Sequence, residues 1–90
     1  MKLCTVEISL YPLMDGYVDV IKTFIGRLQN HSTLELSTST TSTQVRGDYR
    51  TVFEVLSHEI EAIHNEVGQA IFVCKFLAGD DVKPGLYHES

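Results

Sequence analysis

A run of seven consecutive hydroxyl residues, Ser37 to Thr43, lies in the middle of this 90-residue chain. Taken alone, such a run is typical of a polar linker. Its flanks, however, alternate apolar and polar residues, in Leu34-Glu35-Leu36 before the run and Gln44-Val45-Arg46 after it. This is the two-residue period of a β-strand, and threonine itself favours strands. The pattern predicts a β-hairpin whose strands cover residues 33–38 and 43–47.

The row of hydroxyls in this hairpin has two interpretations. Each hydroxyl can donate and accept a hydrogen bond, so the row suits a small polar ligand. The alternative is a solvent-exposed hairpin that binds no ligand.

A strand and a helix precede the hairpin. Residues 2–11 alternate apolar and polar side chains up to Pro12, which lacks the N–H that a strand ladder needs. The predicted helix then runs to about Asn30, with Asp15 as its N-cap. Its apolar stripe at helical spacing consists of Tyr17, Val18, Ile21, Phe24, Ile25 and Leu28. Gly26 lies inside this helix at some cost in stability, and it either allows close packing on the sheet or has no particular role.

A second helix and a last strand follow the hairpin. Asp48 is the predicted N-cap of the helix and Gly68 its C-cap. The apolar residues between them at three- and four-residue spacing are Val52, Val55, Leu56, Ile60, Ile63 and Val67. The strand, residues 69–77, is apolar on both faces, which is typical of a strand covered on both sides, here by the helices and by another subunit. Residues 79–90 lack apolar periodicity and are predicted to form a tail.

The order strand, helix, strand, strand, helix, strand predicts an α+β fold, a ferredoxin-like βαββαβ sandwich over residues 1–78. Right-handed connections give a four-stranded antiparallel sheet with both helices on one face and the first and third strands at its centre. The residues expected on the other, open face are Thr5, Glu7, Ser9, Tyr11, Glu35, Ser37, Gln44, Arg46, Ile71, Val73 and Leu77. Apolar groups beside polar ones on an open face indicate a partner or a ligand, so we expect self-association to a dimer or tetramer.

Charge and composition argue against several classes of protein. The formal net charge is -5 and the chain has no basic cluster, which disfavours nucleic acid and anionic membranes as partners. No apolar run reaches the ~18 residues of a membrane span, and Glu7 interrupts the apolar run that a signal peptide would need. A short secreted chain often needs several disulfides, whereas this one has two cysteines. We therefore expect a cytoplasmic protein.

Metal and catalytic motifs are not supported by the spacing of the reactive residues. His58 and His64 are six residues apart, whereas a zinc-binding helix places its histidines four apart, so a solvated helix face is expected. Cys4 and Cys74 point inward on neighbouring strands, as buried free thiols or, alternatively, as a cross-strand disulfide. Glu7 and Glu35 can share the open face of the sheet and are the one candidate for a catalytic carboxylate pair. The alternative is that both are solvated charges or form a salt bridge to Arg46. We expect no enzyme activity and no cofactor.

Three segments, Glu7–Leu13, Ser42–Tyr49 and Val73–Phe76, resemble the YKOF-related family of thiamine/hydroxymethylpyrimidine-binding proteins. The resemblance covers about residues 3–78, and its most specific part is the Ser-Thr-Gln-x-x-Gly-Asp segment that begins at Ser42. It implies a domain that pairs through its sheet and binds the aminopyrimidine of thiamine, or of its precursor, without chemical turnover. The ligand-binding residues that it implies are Glu7, Ser9, Tyr11, Ser37, Thr38, Ser39, Thr43 and Gln44.

The chemistry of these residues agrees with such a ligand. An aminopyrimidine has ring acceptors and an exocyclic donor, which hydroxyls and a carboxylate match, while Tyr11 can stack on the ring and Glu7 favours the thiazolium cation. Some relatives carry two domains in one chain, so here a dimer or tetramer would supply the second. Two alternatives stay open: an ACT-like regulatory or assembly domain with an effector at its subunit interface, and a cofactor-free enzyme with Glu7 as base.

Overall fold

The computed structural model of the chain describes residues 2–13, 15–39 and 42–79. The elements are β1 (Leu3–Pro12), α1 (Tyr17–Gln29), β2 (Glu35–Thr38), β3 (Thr43–Asp48), α2 (Tyr49–Val67) and β4 (Ala70–Ala78). The order of elements is the predicted one. The predicted tail lies outside the described residues, apart from Gly79.

The four strands form one antiparallel sheet in the order β2-β3-β1-β4, with β1 and β3 at its centre as predicted. Val6 of β1 lies between Val45 of β3 and Phe76 of β4 in this register. One face of the sheet packs against both helices and forms the core. The buried residues of that core are Cys4, Val6, Ile8, Val20, Phe24, Leu28, Val45, Val52, Val55, Leu56 and Ile63. The fold is the expected ferredoxin-like α+β arrangement.

Helix α1 differs from its prediction at its start. Gly16 rather than Asp15 is the N-cap, in the left-handed conformation with φ 75°, which favours glycine, and no side chain caps the helix. The buried residues are Val20, Phe24 and Leu28, of which Phe24 and Leu28 belong to the predicted stripe and Val20 does not. Val18 is about half exposed because it lies about 120° around the helix from the middle of these buried residues. Tyr17 is also about half exposed, since it precedes the first buried turn.

Helix α2 has both of its predicted caps. The carboxylate of Asp48 accepts a hydrogen bond from the N–H of Thr51 at 3.3 Å. At the other end Gly68 has φ 88°, and its N–H donates to the carbonyl of His64 at 3.0 Å. Both signals depend on a few neighbouring residues, which is why the sequence predicts them well.

The two cysteines are free thiols. The register places Cys4 opposite Ala78 and Cys74 opposite Ile8, so the two thiols are not paired across β1 and β4. Burial raises the pKa of both thiols. Of the two alternatives, the free thiols are confirmed, with Cys4 buried as predicted and Cys74 partly exposed.

Candidate functional site

The hydroxyl hairpin presents side chains to both faces of the sheet. In the register of β2 and β3, Ser37 lies opposite Gln44 and Thr38 lies opposite Thr43. Successive side chains of a strand point to opposite faces. Ser37 and Gln44 therefore lie on the open face, whereas Thr38 and Thr43 lie on the face that carries the helices. Thr43 is buried there.

The end of the hairpin is closed by two serines that bond to each other. The N–H of Ser39 donates to the carbonyl of Ser42 at 2.9 Å, and the N–H of Ser42 donates to Oγ of Ser39 at 3.2 Å. The hydroxyl of Ser39 also donates to the carbonyl of Ser42 at 3.2 Å. A hydroxyl that bonds to nearby backbone in this way supports a turn without glycine. The hairpin end is thus held in place by its own serines.

A cavity of about 60 Å³ lies between this hairpin end, β1 and α1. Its apolar walls come from β1 and α1, and its hydroxyls come from the hairpin end. The lining residues are Ile8, Leu10, Ile21, Phe24, Ile25, Ser39, Ser42 and Thr43. Two apolar walls with hydroxyls from a third element suit a flat ring that has apolar faces and a polar edge.

The cavity is small for a whole ligand. Pockets that enclose drug-sized ligands have about 300–1,000 Å³, and a single water needs about 10–15 Å³. The space that is present therefore holds a few waters or the edge of a ring. One of the walls must move for a complete ring to enter.

The open face carries the other predicted site residues, Glu7, Ser9 and Tyr11 of β1, beside Ser37 and Gln44. Tyr11 lies opposite Ile71 and Ser9 lies opposite Val73 on β4. Tyr11, Ile71 and Val73 are each about half exposed. This is the mixed apolar and polar face that the alternation of the strands predicts, except that Thr5 and Arg46, which were expected on a bare face, are buried. The eight predicted site residues therefore lie on two faces, with Ser39 at the hairpin end that lines the cavity.

The two glutamates of the open face are engaged separately. Glu7 lies opposite Gln44 on β3 and Lys75 on β4, and its carboxylate is 3.8 Å from the Lys75 ammonium. Glu35 lies opposite Arg46, with 3.9 Å between carboxylate and guanidinium. The salt bridge to Arg46 was one of the alternatives for these residues, and Glu35 forms it.

A buried carboxylate between the helices was missed by the sequence analysis. Glu59 of α2 is 5% exposed, and its two oxygens contact Nε of Arg27 at 2.5 Å and Nε2 of His31 at 2.7 Å. Burial raises the pKa of Glu59, but hydrogen bonds from His31 and Arg27, with their charges, bring that pKa below its ordinary value. The available signal was the position of Glu59 on the apolar stripe of α2, between Leu56 and Ile63.

The apolar cavity walls were also missed as parts of a site. Ile21, Phe24 and Ile25 carry the helical spacing of core residues, and nothing in that spacing distinguishes a core position from a cavity wall. Ser42 is not among the eight residues expected at the site, although it lies between Ser39 and Thr43 in the hydroxyl run. Its position in that run was the available signal, and its hydrogen bonds with Ser39 are known only from the structure.

Other kinds of site find no support among the described residues. His58 and His64 are exposed on α2, as expected for a solvated helix face. Over residues 2–13, 15–39 and 42–79, no three histidine, cysteine, aspartate or glutamate side chains are grouped to hold a metal ion. In those same ranges, neither helix has the length and apolar character needed to cross a membrane.

These features define a class of protein: a small ferredoxin-like domain with a cavity between helix and sheet that is bordered by a hydroxyl-rich hairpin. The model of the YKOF-related family matches residues 4–79, and the chain belongs to that family. No curated protein matches the chain in sequence.

Solved structures show the same fold. A Streptococcus pneumoniae protein is similar with a TM-score of 0.80 and 20% identity, over 90% of each chain. A hypothetical protein of Methanocaldococcus jannascii has a TM-score of 0.78 and 19% identity, over 96% of this chain and 90% of its own. A Thermotoga maritima protein, named for a suggested role in thiamine biosynthesis or salvage, has a TM-score of 0.75 and 13% identity, over 82% of this chain and 81% of its own. At these identities the likeness shows the fold.

Proposed function

We propose that this chain is a non-catalytic, cytoplasmic binding protein for thiamine or its hydroxymethylpyrimidine precursor, and that the pyrimidine ring enters the cavity beneath the hydroxyl hairpin. Membership of the YKOF-related family and the likeness to a protein named for thiamine biosynthesis or salvage support this ligand class. The observation that carries the proposal is the convergence of Ser39, Ser42 and Thr43 on a cavity with apolar walls.

The cavity matches the chemistry of an aminopyrimidine. The ring faces and the methyl group are apolar and suit Ile8, Ile21 and Phe24, whereas the ring nitrogens and the amino group need hydrogen-bond partners. The hydroxyl of Thr43 can serve either need because it donates and accepts. A buried polar edge without partners would cost about 1–3 kcal/mol, so these hydroxyls would decide both affinity and orientation.

The non-catalytic part of the proposal is supported by the lining. The described lining residues carry hydroxyl, aliphatic and aromatic groups, while general acid–base catalysis uses a titratable side chain within hydrogen-bond reach. Glu7, the base of an enzyme alternative, lies on the other face of the sheet, near Lys75.

Binding calorimetry with hydroxymethylpyrimidine and thiamine tests the proposal. Thr43→Val removes the hydroxyl and keeps the shape, so we expect affinity to fall about fivefold to a hundredfold, which corresponds to the loss of ~1–3 kcal/mol. Ser37→Ala removes a hydroxyl from the open face and is the matched control, with unchanged affinity. Circular dichroism shows that both variants are folded.

Three other outcomes have distinct meanings. Absence of saturable heat at millimolar ligand would contradict the thiamine proposal. Unchanged affinity in Thr43→Val would show that the ligand does not bind in the cavity. Weaker binding in Ser37→Ala and in Tyr11→Ala, with Thr43→Val unaffected, would place the ligand on the open face, as the sequence analysis expects.

The exposed apolar groups of the open face favour a second candidate function. Tyr11, Ile71 and Val73 form an apolar surface beside the polar Glu7 and Gln44, and an ACT-like regulatory domain would bind its effector where two such faces meet. Both candidate functions include self-association of the chain through this face. Saturable heat with an amino acid, and none with a pyrimidine, would favour the regulatory domain.

A further inference from the structure

Gly26 lies at the start of the last turn of α1 without a packing reason. A Cβ atom built on Gly26 would meet nothing within 4 Å. Close packing on the sheet, which the sequence left as an explanation, therefore does not account for this glycine. Glycine in the interior of a helix loosens it, because the backbone keeps more freedom there than alanine would allow.

The part of α1 before Gly26 forms a wall of the cavity. Ile21, Phe24 and Ile25 line the cavity from this side. The segment begins at Gly16 without a side-chain cap, and its first turn is largely exposed. Its buried residues, Val20 and Phe24, hold it through apolar contacts, which have no fixed direction.

The part of α1 after Gly26 is fastened by directional bonds. Arg27 contacts the buried carboxylate of Glu59 and, at 3.3 Å, the carboxylate of Glu66. His31, just past the helix, contacts the second oxygen of Glu59. Leu28 between them is fully buried. Hydrogen bonds between charged groups are the stronger ones, so this end of α1 is fixed to α2.

We propose that Gly26 is a hinge, and that the segment 17–25 swings away from the sheet about it to admit a ligand to the cavity while the end at Arg27 stays attached to α2. The inference rests on the proposed function only for the identity of the ligand, a pyrimidine. It accounts for a cavity of about 60 Å³, because a complete ring enters only when a wall moves. It also accounts for a glycine at the border between the mobile wall and the fastened end.

Amide hydrogen exchange of the ligand-free protein, followed by NMR, tests the hinge. In an α-helix the N–H of residue i donates to the carbonyl of residue i−4, so the amides of 27–29 donate to the carbonyls of 23–25 across the hinge, whereas those of 21–25 donate within the segment 17–25. A swing of the segment breaks only the bonds that cross the hinge, so we expect the amides of 27–29 to exchange at least tenfold faster than those of 21–25. Gly26→Ala should slow the exchange of 27–29 about fivefold, the factor that corresponds to ~1 kcal/mol of helix propensity, with α2 unchanged.

The rate of hydroxymethylpyrimidine association, measured by stopped flow, tests the role of the hinge in entry. We expect Gly26→Ala to slow association about fivefold. Thr23→Ala is the matched control, because Thr23 is exposed within the same segment and its replacement leaves the hinge intact. We expect it to leave association unchanged.

Each result decides a separate point. Equal exchange of the two sets of amides in the wild-type protein would overturn the hinge, and so would a Gly26→Ala protein with unaltered exchange at 27–29. Equal slowing of association by Thr23→Ala would assign the effect to general helix stability and overturn the role of Gly26. An exchange difference without any pyrimidine binding would support the hinge and count against the proposed function.

Discussion

Gly47 is a residue whose small size the fold requires. It lies on β3 opposite Cys4, and a Cβ atom at this position would be 2.6 Å from Cδ2 of Leu34. Leu34 is partly buried and packs against the core just before β2, so its side chain must shift to accommodate a methyl group here. The glycine lets the segment before β2 lie closely over the end of β3.

Replacement of Gly47 by alanine should therefore destabilise the protein. We expect Gly47→Ala to lower the free energy of unfolding by about 1–3 kcal/mol, the usual cost of an added methyl group in a packed site. Urea unfolding followed by circular dichroism measures it. Gly26→Ala is the same replacement at an open position and should stabilise by up to about 1 kcal/mol. Equal midpoints for the two variants would contradict the steric argument.

Residues whose role depends on near neighbours were predictable from the sequence. The caps Asp48 and Gly68 follow from the residues beside them, and both predictions are confirmed. Asp15 has the same type of signal, but Gly16 adopts the left-handed conformation and becomes the cap instead. The role of Gly47 was not predictable, because Leu34 reaches it only through the pairing of β2 with β3.

At the scale of elements, the two helices are joined by Glu59. Its carboxylate lies on the buried side of α2 and receives Arg27 and His31 from the end of α1. A buried charge is expensive unless it is paired, and here both oxygens have a cationic or hydrogen-bonding partner. Glu59 therefore fixes one end of α1 in a definite position on α2.

This carboxylate should make stability depend on pH. The pKa of Glu59 is lower in the folded protein than its ordinary value of 4.5, so its contribution is present above that value and is lost as the pH falls through the folded pKa. We expect Glu59→Gln to lower the free energy of unfolding by about 2 kcal/mol at pH 7. Urea unfolding from pH 7 to pH 3 measures the difference, which should shrink below about pH 4.5.

A matched variant separates the buried glutamate from an exposed one. Glu66 also contacts Arg27, but its side chain is 48% exposed, and pairs of this kind contribute about 0–1 kcal/mol. We expect Glu66→Gln to remain close to the wild type at all pH values. A Glu59→Gln deficit that stays constant down to pH 3 would show that shape, and not charge, is responsible.

The faces of the strands were predictable, whereas the depth of each side chain was not. The two-residue period assigns Ser37 to one face and Thr43 to the other once the pairing is known. Whether a hydroxyl on that face is exposed to solvent, hydrogen-bonded or at a cavity depends on which element packs over the strand. Thr43 lies beneath α1 and is buried, and only the packed helix establishes that.

At the scale of the whole molecule, the element order determined the topology because few arrangements satisfy right-handed connections with segments of these lengths. The cavity depends on a different kind of information. It results from the position of α1 over the sheet, which Arg27, His31 and Glu59 help to fix. Contacts between residues so distant in the sequence leave no periodic pattern, so the cavity walls were read as ordinary core.

The open face leads to a prediction about the whole molecule, that copies of the chain associate through this face. Val73 lies on the edge strand β4 of this face, opposite Ser9 and near Tyr11 and Ile71, and is about half exposed in one copy. Apolar groups on one side of a sheet gain stability when a second sheet covers them. An unpaired carboxylate in that position would be buried at a cost of several kcal/mol.

Sedimentation velocity over a range of protein concentrations tests this association. We expect Val73→Glu to raise the dissociation constant of the oligomer about a hundredfold, which corresponds to a loss of ~2.7 kcal/mol of association free energy. Val18→Glu is the matched control, because Val18 is 49% exposed against 48% for Val73 but lies on α1, away from the open face. Equal weakening by both variants would assign the effect to net charge. A wild-type protein that stays monomeric at high concentration would leave the open face available to a different partner, because its exposed tyrosine, isoleucine and valine would then be uncovered in every copy.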